Sequence, residues 1–213
     1  MATGRSGAEP VDIAIFARAP VPGQCKTRLI PALGAEGAAE LHRRMLGRTI
    51  ACALAAGTGP VSLWCAPDTT HPAFAALASS GPVELRPQTG DDLGARMLAA
   101  FVAQPPGRPL LLIGTDCPAL AADHLRACAA CLREGDDAVF LPTEDGGYVL
   151  VGLQAPQPPL FKAMPWSTDQ VMVETRRRLE RAGLRWRETA TLWDVDTPED
   201  LERLRASELM KVP

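Results

Sequence analysis

The chain has 213 residues, with 46% hydrophobic and 22% charged residues and a formal net charge of −3. A chain of this length can bury a full core, so we expect one domain over residues 1–213, with residues 1–9 disordered. The slightly negative net charge leaves no excess of basic residues of the kind that binds nucleic acid. We find no run of roughly 18 apolar residues that would span a membrane and no signal peptide, and therefore expect a cytoplasmic protein.

Short apolar runs bounded by Gly, Pro or Asp predict buried parallel strands at 11–17, 60–65, 109–114 and 137–141. Alanine- and leucine-rich segments between them predict helices near 34–56, 71–79, 92–103 and 119–134. Because strands and helices alternate, we expect a three-layer α/β/α fold with a mostly parallel sheet.

The pattern loosens after residue 141. It predicts a strand at 148–153, a proline-rich loop at 155–159, a charged helix over 169–182 and a final helix capped near Thr197. The three arginines at 176–178 are interpreted as a solvated face of the charged helix.

Six cysteines lie within apolar runs and are expected to be free thiols. Cys128 and Cys131 have redox or zinc spacing, but they lack a second Cys pair and a His at metal spacing, which favours core roles on a helix.

The first strand ends in a loop that carries cations. The run from Val11 breaks at Pro22 and Gly23, and the loop contains Arg18, Lys26 and Arg28. Cations and free backbone amides at the carboxyl end of a first strand are where an open α/β sheet receives a nucleotide phosphate. The loop therefore predicts a nucleotide site.

A second element is a wholly apolar strand that delivers Asp116 at its carboxyl end. A carboxylate in that place suits Mg²⁺ or Mn²⁺, which are held by one or two protein carboxylates together with substrate phosphates. The alternative is that Asp116 or Thr115 caps a helix starting near Ala119. Position alone favours neither.

Three further acidic segments are candidates. Asp145, followed by Gly146 and Gly147, forms either an ordinary turn or a general base beside backbone that approaches a ligand closely. Asp92 lies before a helix, where capping explains much of its presence. Asp194 and Asp196 face the same way on an extended segment and would supply another metal oxygen, although Asp196 or Thr197 would equally serve as a helix cap.

Two common nucleotide motifs are missing from the sequence. No Gly-x-Gly-x-x-Gly follows the first strand, and no Gly-x-x-x-x-Gly-Lys-Ser/Thr occurs. Dehydrogenases and P-loop kinases are thereby disfavoured.

Taken together, the elements resemble a known family, the small glycosyltransferase-A superfamily transferases often encoded beside radical-SAM/selenodomain proteins. The matching stretches, in order along nearly the whole chain, are 16–29, 90–97, 113–118, 145–148, 166–168 and 194–200. The resemblance implies a nucleotide-diphospho-sugar transferase fold in which the first loop holds the nucleotide and Asp116 holds the metal.

By the same resemblance, Lys26 and Arg28 would contact the diphosphate, with Asp92 also on the nucleotide side. Asp145 and Trp166, with the two glycines that follow Asp145, would border the donor sugar or the acceptor. A fold does not fix a reaction, so these roles are expectations.

The leading hypothesis is a glycosyltransferase that uses Mg²⁺ or Mn²⁺, a nucleotide sugar and an unknown small acceptor, with Asp145 as base. The alternative is a guanylyl- or cytidylyl-type nucleotidyltransferase that releases pyrophosphate from a nucleoside triphosphate. Lys26-Thr-Arg-Leu resembles the Lys-Ser-Arg-Leu of phospholactate guanylyltransferases, although the Gly-x-Gly-x-Arg loop of pyrophosphorylases is absent. A third hypothesis is a nucleotide-binding regulator without catalysis.

Overall fold

The computed structural model describes residues 9–207, 209–210 and 212. Within these residues the strands are β1 (Asp12–Arg18), β2 (Val61–Ala66), β3 (Val83–Pro87), β4 (Leu110–Ile113), β5 (Ala138–Pro142), β6 (Tyr148–Leu153) and β7 (Trp186–Glu188). The helices are α1 (Ile30–Ala56), α2 (Pro72–Ala78), α3 (Leu93–Val102), α4 (Ala122–Arg133), α5 (Pro158–Phe161), α6 (Val171–Ala182) and α7 (Pro198–Ser207). The disorder expected for residues 1–9 falls, apart from Glu9, outside the described residues.

The strands form one sheet in the order β3-β2-β1-β4-β6-β5-β7. β6 runs antiparallel to both of its neighbours, and the other pairs of adjacent strands are parallel. The expected mostly parallel sheet is therefore confirmed. The turn between β5 and β6 brings Asp145 to the edge of the sheet at which β1 and β4 end.

Helices cover both faces of the sheet. In β1, Ile13 and Ile15 pack into a core shared with residues of α1, α2 and α4. The alternate residues Ala14 and Phe16 pack into a second core shared with α3, α5 and α6. Because both faces are buried, the strands are continuous apolar runs, as the sequence shows.

A third, smaller core joins the loop after β1 to the C-terminal segment. Leu29 and Leu41, from the start of the chain, pack with Trp193, Val195 and Leu201. This packing holds the loop that precedes α1 against the residues that precede α7. The basic segment with Arg28 therefore lies beside the acidic segment with Asp196.

Three elements differ from expectation. α4 begins at Ala122 rather than near residue 119, because residues 117–120 form a turn in which the Leu120 amide donates to the Cys117 carbonyl. The N-cap of α4 is Ala121, so neither Asp116 nor Thr115 caps it. α5 lies partly in the expected proline-rich loop, and β7 was not predicted.

Two further expectations concern the cysteines and the search for membrane-spanning helices. The six cysteines are free thiols, and Cys128 and Cys131 are buried core residues of α4. None of the described helices is long and apolar enough to cross a membrane.

Candidate active site

A cleft of about 560 Å³ opens at the carboxyl ends of β1 and β4, where β6 begins. Its polar side is formed by Arg28, Asp116, Asp145, Asp194 and Asp196. Its apolar side is formed by Phe16, Leu93, Met97, Tyr148, Trp166 and Val171. Most of the carboxylates that the sequence singles out therefore line one cleft.

The loop after β1 turns sharply beside this cleft. The Gln24 amide donates to the Val21 carbonyl over 3.0 Å, and Pro22 and Gly23 occupy the two central positions of the turn. Gly23 has a φ of 78°, which glycine adopts without a steric penalty. The exposed Pro-Gly pair thus shapes the loop, and neither residue lines the cleft itself.

Arg18 ends β1 with an exposed side chain that makes no hydrogen bond or ion pair within the described part of the chain. Its carbonyl oxygen is 2.9 Å from Nε2 of the buried His42. The amides of Gly23, Cys25 and Lys26 likewise donate to no group among the described residues. The loop therefore has a free guanidinium and free amides, which are the groups that bind phosphate.

Lys26 lies beneath the cleft rather than in it. Its side chain is only 3% exposed, and Nζ lies 2.6 Å from Asp116 Oδ1 and 2.6 Å from the Val195 carbonyl oxygen. The Asp116 side chain is half-exposed. Burial acts to raise the pKa of Asp116, but the charge and hydrogen bond of Lys26, together with smaller contributions from His42 and Arg18, hold this pKa below its usual value.

Asp194 lines the same cleft, but its pKa is shifted in the opposite direction from that of Asp116. Burial raises the pKa of Asp194 to about 7, and the negative charges of Asp116 and Asp145 add to the effect. Its Oδ1 atom is buried and has no hydrogen-bond partner among the described residues. The Lys26 charge favours ionisation of Asp194 but does not offset burial and the two neighbouring carboxylates, and the buried oxygen has no donor in the described chain.

These two carboxylates fit a divalent cation. A metal near Asp116 and Asp194 would supply the missing partner of the Asp194 oxygen. No group of three metal-binding side chains is gathered among residues 9–207, 209–210 and 212. Mg²⁺ and Mn²⁺ do not need such a group, because both take phosphate and water oxygens for their remaining positions.

Asp145 lies in the turn between β5 and β6. Thr143 Oγ1 donates to Asp145 Oδ1 over 2.5 Å, and the Gly147 amide donates to the same oxygen over 3.1 Å. Asp145 Oδ2 has no partner within the described part of the chain. The segment is therefore a turn, as one interpretation expected, and it also lines the cleft.

Gly146 brings this turn against the next loop. It has a φ of 89°, and a Cβ on it would overlap the carbonyl oxygen of Asp169. Its own carbonyl accepts a hydrogen bond from the Met172 amide over 2.8 Å. No larger residue fits here without moving the loop that carries Trp166.

Trp166 also lines the cleft. Its ring meets Tyr148 edge-on, with centroids 6.4 Å apart. Gly94 of α3 lies beneath it, where a Cβ would approach Trp166 Nε1 to 3.1 Å and overlap the Phe161 carbonyl oxygen. Ser167, the next residue, has a φ of 63°, a conformation that is uncommon outside glycine.

Asp196 and Asp92 have clear structural partners. Asp196 Oδ2 is 2.6 Å from Arg28 Nη1. The start of α7 is instead capped by Thr197, whose hydroxyl oxygen accepts from the Asp200 amide over 3.3 Å, while its own amide donates to the Asp200 carboxylate over 2.8 Å. Asp92 caps α3 by accepting from the Ala95 amide over 2.7 Å and does not line the cleft.

The predicted site residues thus fall into two groups. Those that line the cleft are Arg28, Asp116, Asp145, Gly147, Trp166, Asp194 and Asp196. Those outside its lining are Arg18, Pro22, Gly23, Lys26, Asp92 and Gly146.

Sequence reasoning missed two supporting residues. Thr143 holds Asp145, and a Thr two residues before an Asp in a turn was the available indication. Arg178 was interpreted as part of a solvated face, but its side chain is only 15% exposed. Its guanidinium donates to the carbonyls of Pro159, Lys162 and Ala163, at the base of the loop that carries Trp166.

The fold is that of the nucleotide-diphospho-sugar transferases. A protein from Desulfovibrio desulfuricans G20, provisionally named a nucleotide-diphospho-sugar transferase, has a similar structure with a TM-score of 0.83. It is 29% identical, and the match covers 92% of this chain and 86% of that one. Residues 49–168, more than half of the chain, match the family described as "Uncharacterized protein conserved in bacteria (DUF2064)". The chain belongs to this family.

Two more distant structures share the fold. CMP:2-keto-3-deoxy-manno-octonic acid synthetase complexed with CTP is 14% identical with a TM-score of 0.58, covering 93% of this chain and 98% of that one. Rv0371c from Mycobacterium tuberculosis H37Rv, in complex with manganese, is 18% identical with a TM-score of 0.59, covering 92% and 99%. At these identities they show the fold alone. No curated protein matches the chain.

Proposed function

We propose that this protein is a cytoplasmic, single-domain transferase that moves a sugar from a nucleotide-diphosphate donor to a small acceptor with the help of Mg²⁺ or Mn²⁺. We also propose that it is related to the small transferases encoded beside radical-SAM/selenodomain proteins. The observation that carries the proposal is the pairing of Asp116 and Asp194 at one strand-end cleft with the basic loop after β1.

The loop would bind the donor diphosphate. The Arg18 side chain has no partner in the described chain, and Arg28 is exposed at the cleft, where it pairs with Asp196. Lys26 adds a buried positive charge below them. Positive charge here would stabilise the nucleotide as it leaves, while Pro22 and Gly23 shape the turn.

Asp116 and Asp194 would hold the metal, with Asp196 at the rim. When bound, the ion would neutralise charge on the diphosphate. Oxygen ligands suit both Mg²⁺ and Mn²⁺. The manganese complex of Rv0371c supports a divalent ion in this fold.

Asp145 would take the proton from the acceptor hydroxyl through its free Oδ2 atom. Thr143 and the Gly147 amide hold the other oxygen, so the carboxylate is oriented before the acceptor arrives. Gly146, Gly147 and Trp166 would border the sugar or the acceptor. Asp92 would act on the nucleotide side by fixing the start of α3.

Nucleotidyl transfer is the second candidate. In that reaction the acceptor would attack the α-phosphate of a nucleoside triphosphate and release pyrophosphate, with the same cations and carboxylates. The similarity to a synthetase that binds CTP favours it.

Calorimetric titration of nucleotide sugars and nucleoside triphosphates, with and without Mn²⁺, tests the proposal. We would compare the wild type with Asp116→Ala and with Asp123→Asn, a control carboxylate that is 91% exposed on α4. We expect metal-dependent binding of a nucleotide sugar that only Asp116→Ala abolishes.

The other outcomes identify the alternatives. Binding of triphosphates but not of sugars, followed by pyrophosphate release with an acceptor, would favour nucleotidyl transfer. Metal-independent binding that survives Asp116→Ala, without turnover of any donor, would favour a regulator and contradict the role given to Asp116.

A further inference from the structure

The ammonium group of Lys26 lies beneath the acidic cleft, against two oxygen atoms. It lies 2.6 Å from Asp116 Oδ1, and its second neighbour is the Val195 carbonyl oxygen, also at 2.6 Å. Both are oxygen atoms of the kind that divalent cations bind. With 3% of the side chain exposed, Lys26 is a fixed internal cation rather than a mobile surface one.

The carboxylates around it need this positive charge. The charges of Asp116 and Asp145 both act on Asp194. Arg28 contributes less at this depth, because its side chain is 69% exposed and pairs with Asp196 at the rim. Lys26 is therefore the principal counter-ion of Asp116 in the protein without ligands.

We infer that Lys26 and a divalent cation compete for Asp116. The metal alone would then bind weakly, and a polyphosphate that interacts with the Lys26 ammonium would strengthen metal binding. Metal and nucleotide would then bind cooperatively. The identity of the polyphosphate rests on the proposed function, whereas the competition between Lys26 and the metal does not.

The physical basis is electrostatic. A divalent ion placed beside Asp116 lies within a few ångströms of the Lys26 ammonium, where repulsion between like charges is large away from bulk water. An anion that approaches Lys26 reduces this repulsion. Because coupling between two binding sites is reciprocal, the metal must strengthen anion binding by the same factor.

The test is titration of the metal alone, with free Mn²⁺ measured by electron paramagnetic resonance. We would compare the wild type with Lys26→Gln and Lys26→Met, which remove the charge and keep a long side chain. Lys162→Gln is the control, because Lys162 is exposed and outside the cleft. We expect both Lys26 variants to bind Mn²⁺ at least tenfold more tightly, and the control to stay within twofold of the wild type.

Equal or weaker Mn²⁺ binding by folded Lys26 variants would overturn the inference. A second measurement needs no variant. Sulfate, at constant ionic strength against chloride, should tighten Mn²⁺ binding to the wild type, and an unchanged or weaker affinity would contradict the competition. The metal measurements do not depend on the nucleotide titrations. If no nucleotide binds, the proposed function is refuted, and the Mn²⁺ affinities still decide whether Lys26 competes with the metal.

Discussion

The hydroxyl of Thr143 fixes the carboxylate of Asp145 by donating to Oδ1 over 2.5 Å, while the other oxygen has no partner among the described residues. A general base gains from such an arrangement, because its orientation is set before the substrate binds. On the proposed function, Asp145 would have the chemical role and Thr143 a supporting one.

We expect Asp145→Asn to reduce turnover roughly 10²–10⁴-fold, the usual contribution of a general base, with little change in donor affinity. Thr143→Val should reduce turnover by a smaller factor, up to about 10²-fold, through misplacement of the carboxylate. Thr143→Ser retains the hydroxyl and is the control. Steady-state kinetics with the donor found by calorimetry measure these effects, and near-normal turnover of Asp145→Asn would remove Asp145 from the mechanism.

Asp116 and Asp194 should matter more for the metal than Asp196 does. We expect Asp116→Asn and Asp194→Asn each to weaken Mn²⁺ binding at least about tenfold in the presence of nucleotide, since each removes a charged oxygen ligand. Asp196→Asn should have a smaller effect, because Asp196 already pairs with Arg28. Equal losses in the three variants would mean that Asp196 also reaches the ion.

The raised pKa of Asp194 predicts a pH dependence of stability in metal-free buffer. Its pKa is about 7 in the folded protein against an ordinary value of 3.8, so the folded state binds its proton more tightly. The resulting stabilisation is complete below about pH 4 and is lost as the pH rises through about 7.

We therefore expect Asp194→Asn to gain stability relative to the wild type between pH 4 and pH 8, by several degrees in melting temperature. Thermal melts across this range measure the difference. A constant difference between the two proteins would show that Asp194 titrates normally. Mn²⁺ at pH 8 should stabilise the wild type more than the variant.

Gly146 tests the contact between the β5–β6 turn and the following loop. Gly146→Ala should cost about 2–5 kcal/mol, because it adds an overlap with Asp169 to the strain of a positive φ. Gly107→Ala is the matched control, since Gly107 has a φ of 76° but open space around it. We expect it to cost only about 1–2 kcal/mol. Urea denaturation measures both, and equal costs would show that the contact adjusts freely.

Arg178 should hold the loop that carries Trp166. Both Arg177 and Arg178 pair with Glu174, but only Arg178 also donates to three carbonyls. Arg178→Gln should therefore destabilise the fold by on the order of 2–3 kcal/mol and speed proteolysis within residues 162–170. Arg177→Gln should change neither, and similar cleavage rates in the two variants would contradict this anchoring role.

The central part of the fold could be predicted from the sequence because its strands are buried on both faces and appear as unbroken apolar runs. β7 has no such run: its three residues, Trp186–Glu188, include two exposed ones at the edge of the sheet. The beginning of α4 was also misplaced, because a turn can follow Cys117 as readily as a first helical turn.

The location of the site was predictable for a related reason, since parallel strands bring their carboxyl ends to one edge. The contacts between residues within the site were not predictable. Nothing in the local pattern shows that Lys26 meets both Asp116 and Val195. Nor can three consecutive arginines show which one faces inward, because neighbouring residues of a helix point about 100° apart.

The hydrogen bond from Lys26 to Val195 joins groups that are 169 positions apart in the chain. The Val195 amide in turn donates to the Asp116 carbonyl, so the segment before α7 closes the base of the cleft. During synthesis, a nascent chain that has not yet released this segment has the basic loop after β1 but lacks Asp194, Asp196 and the Val195 carbonyl that accepts from Lys26. On the proposed function, nucleotide and metal would therefore stabilise only a chain that has released this segment.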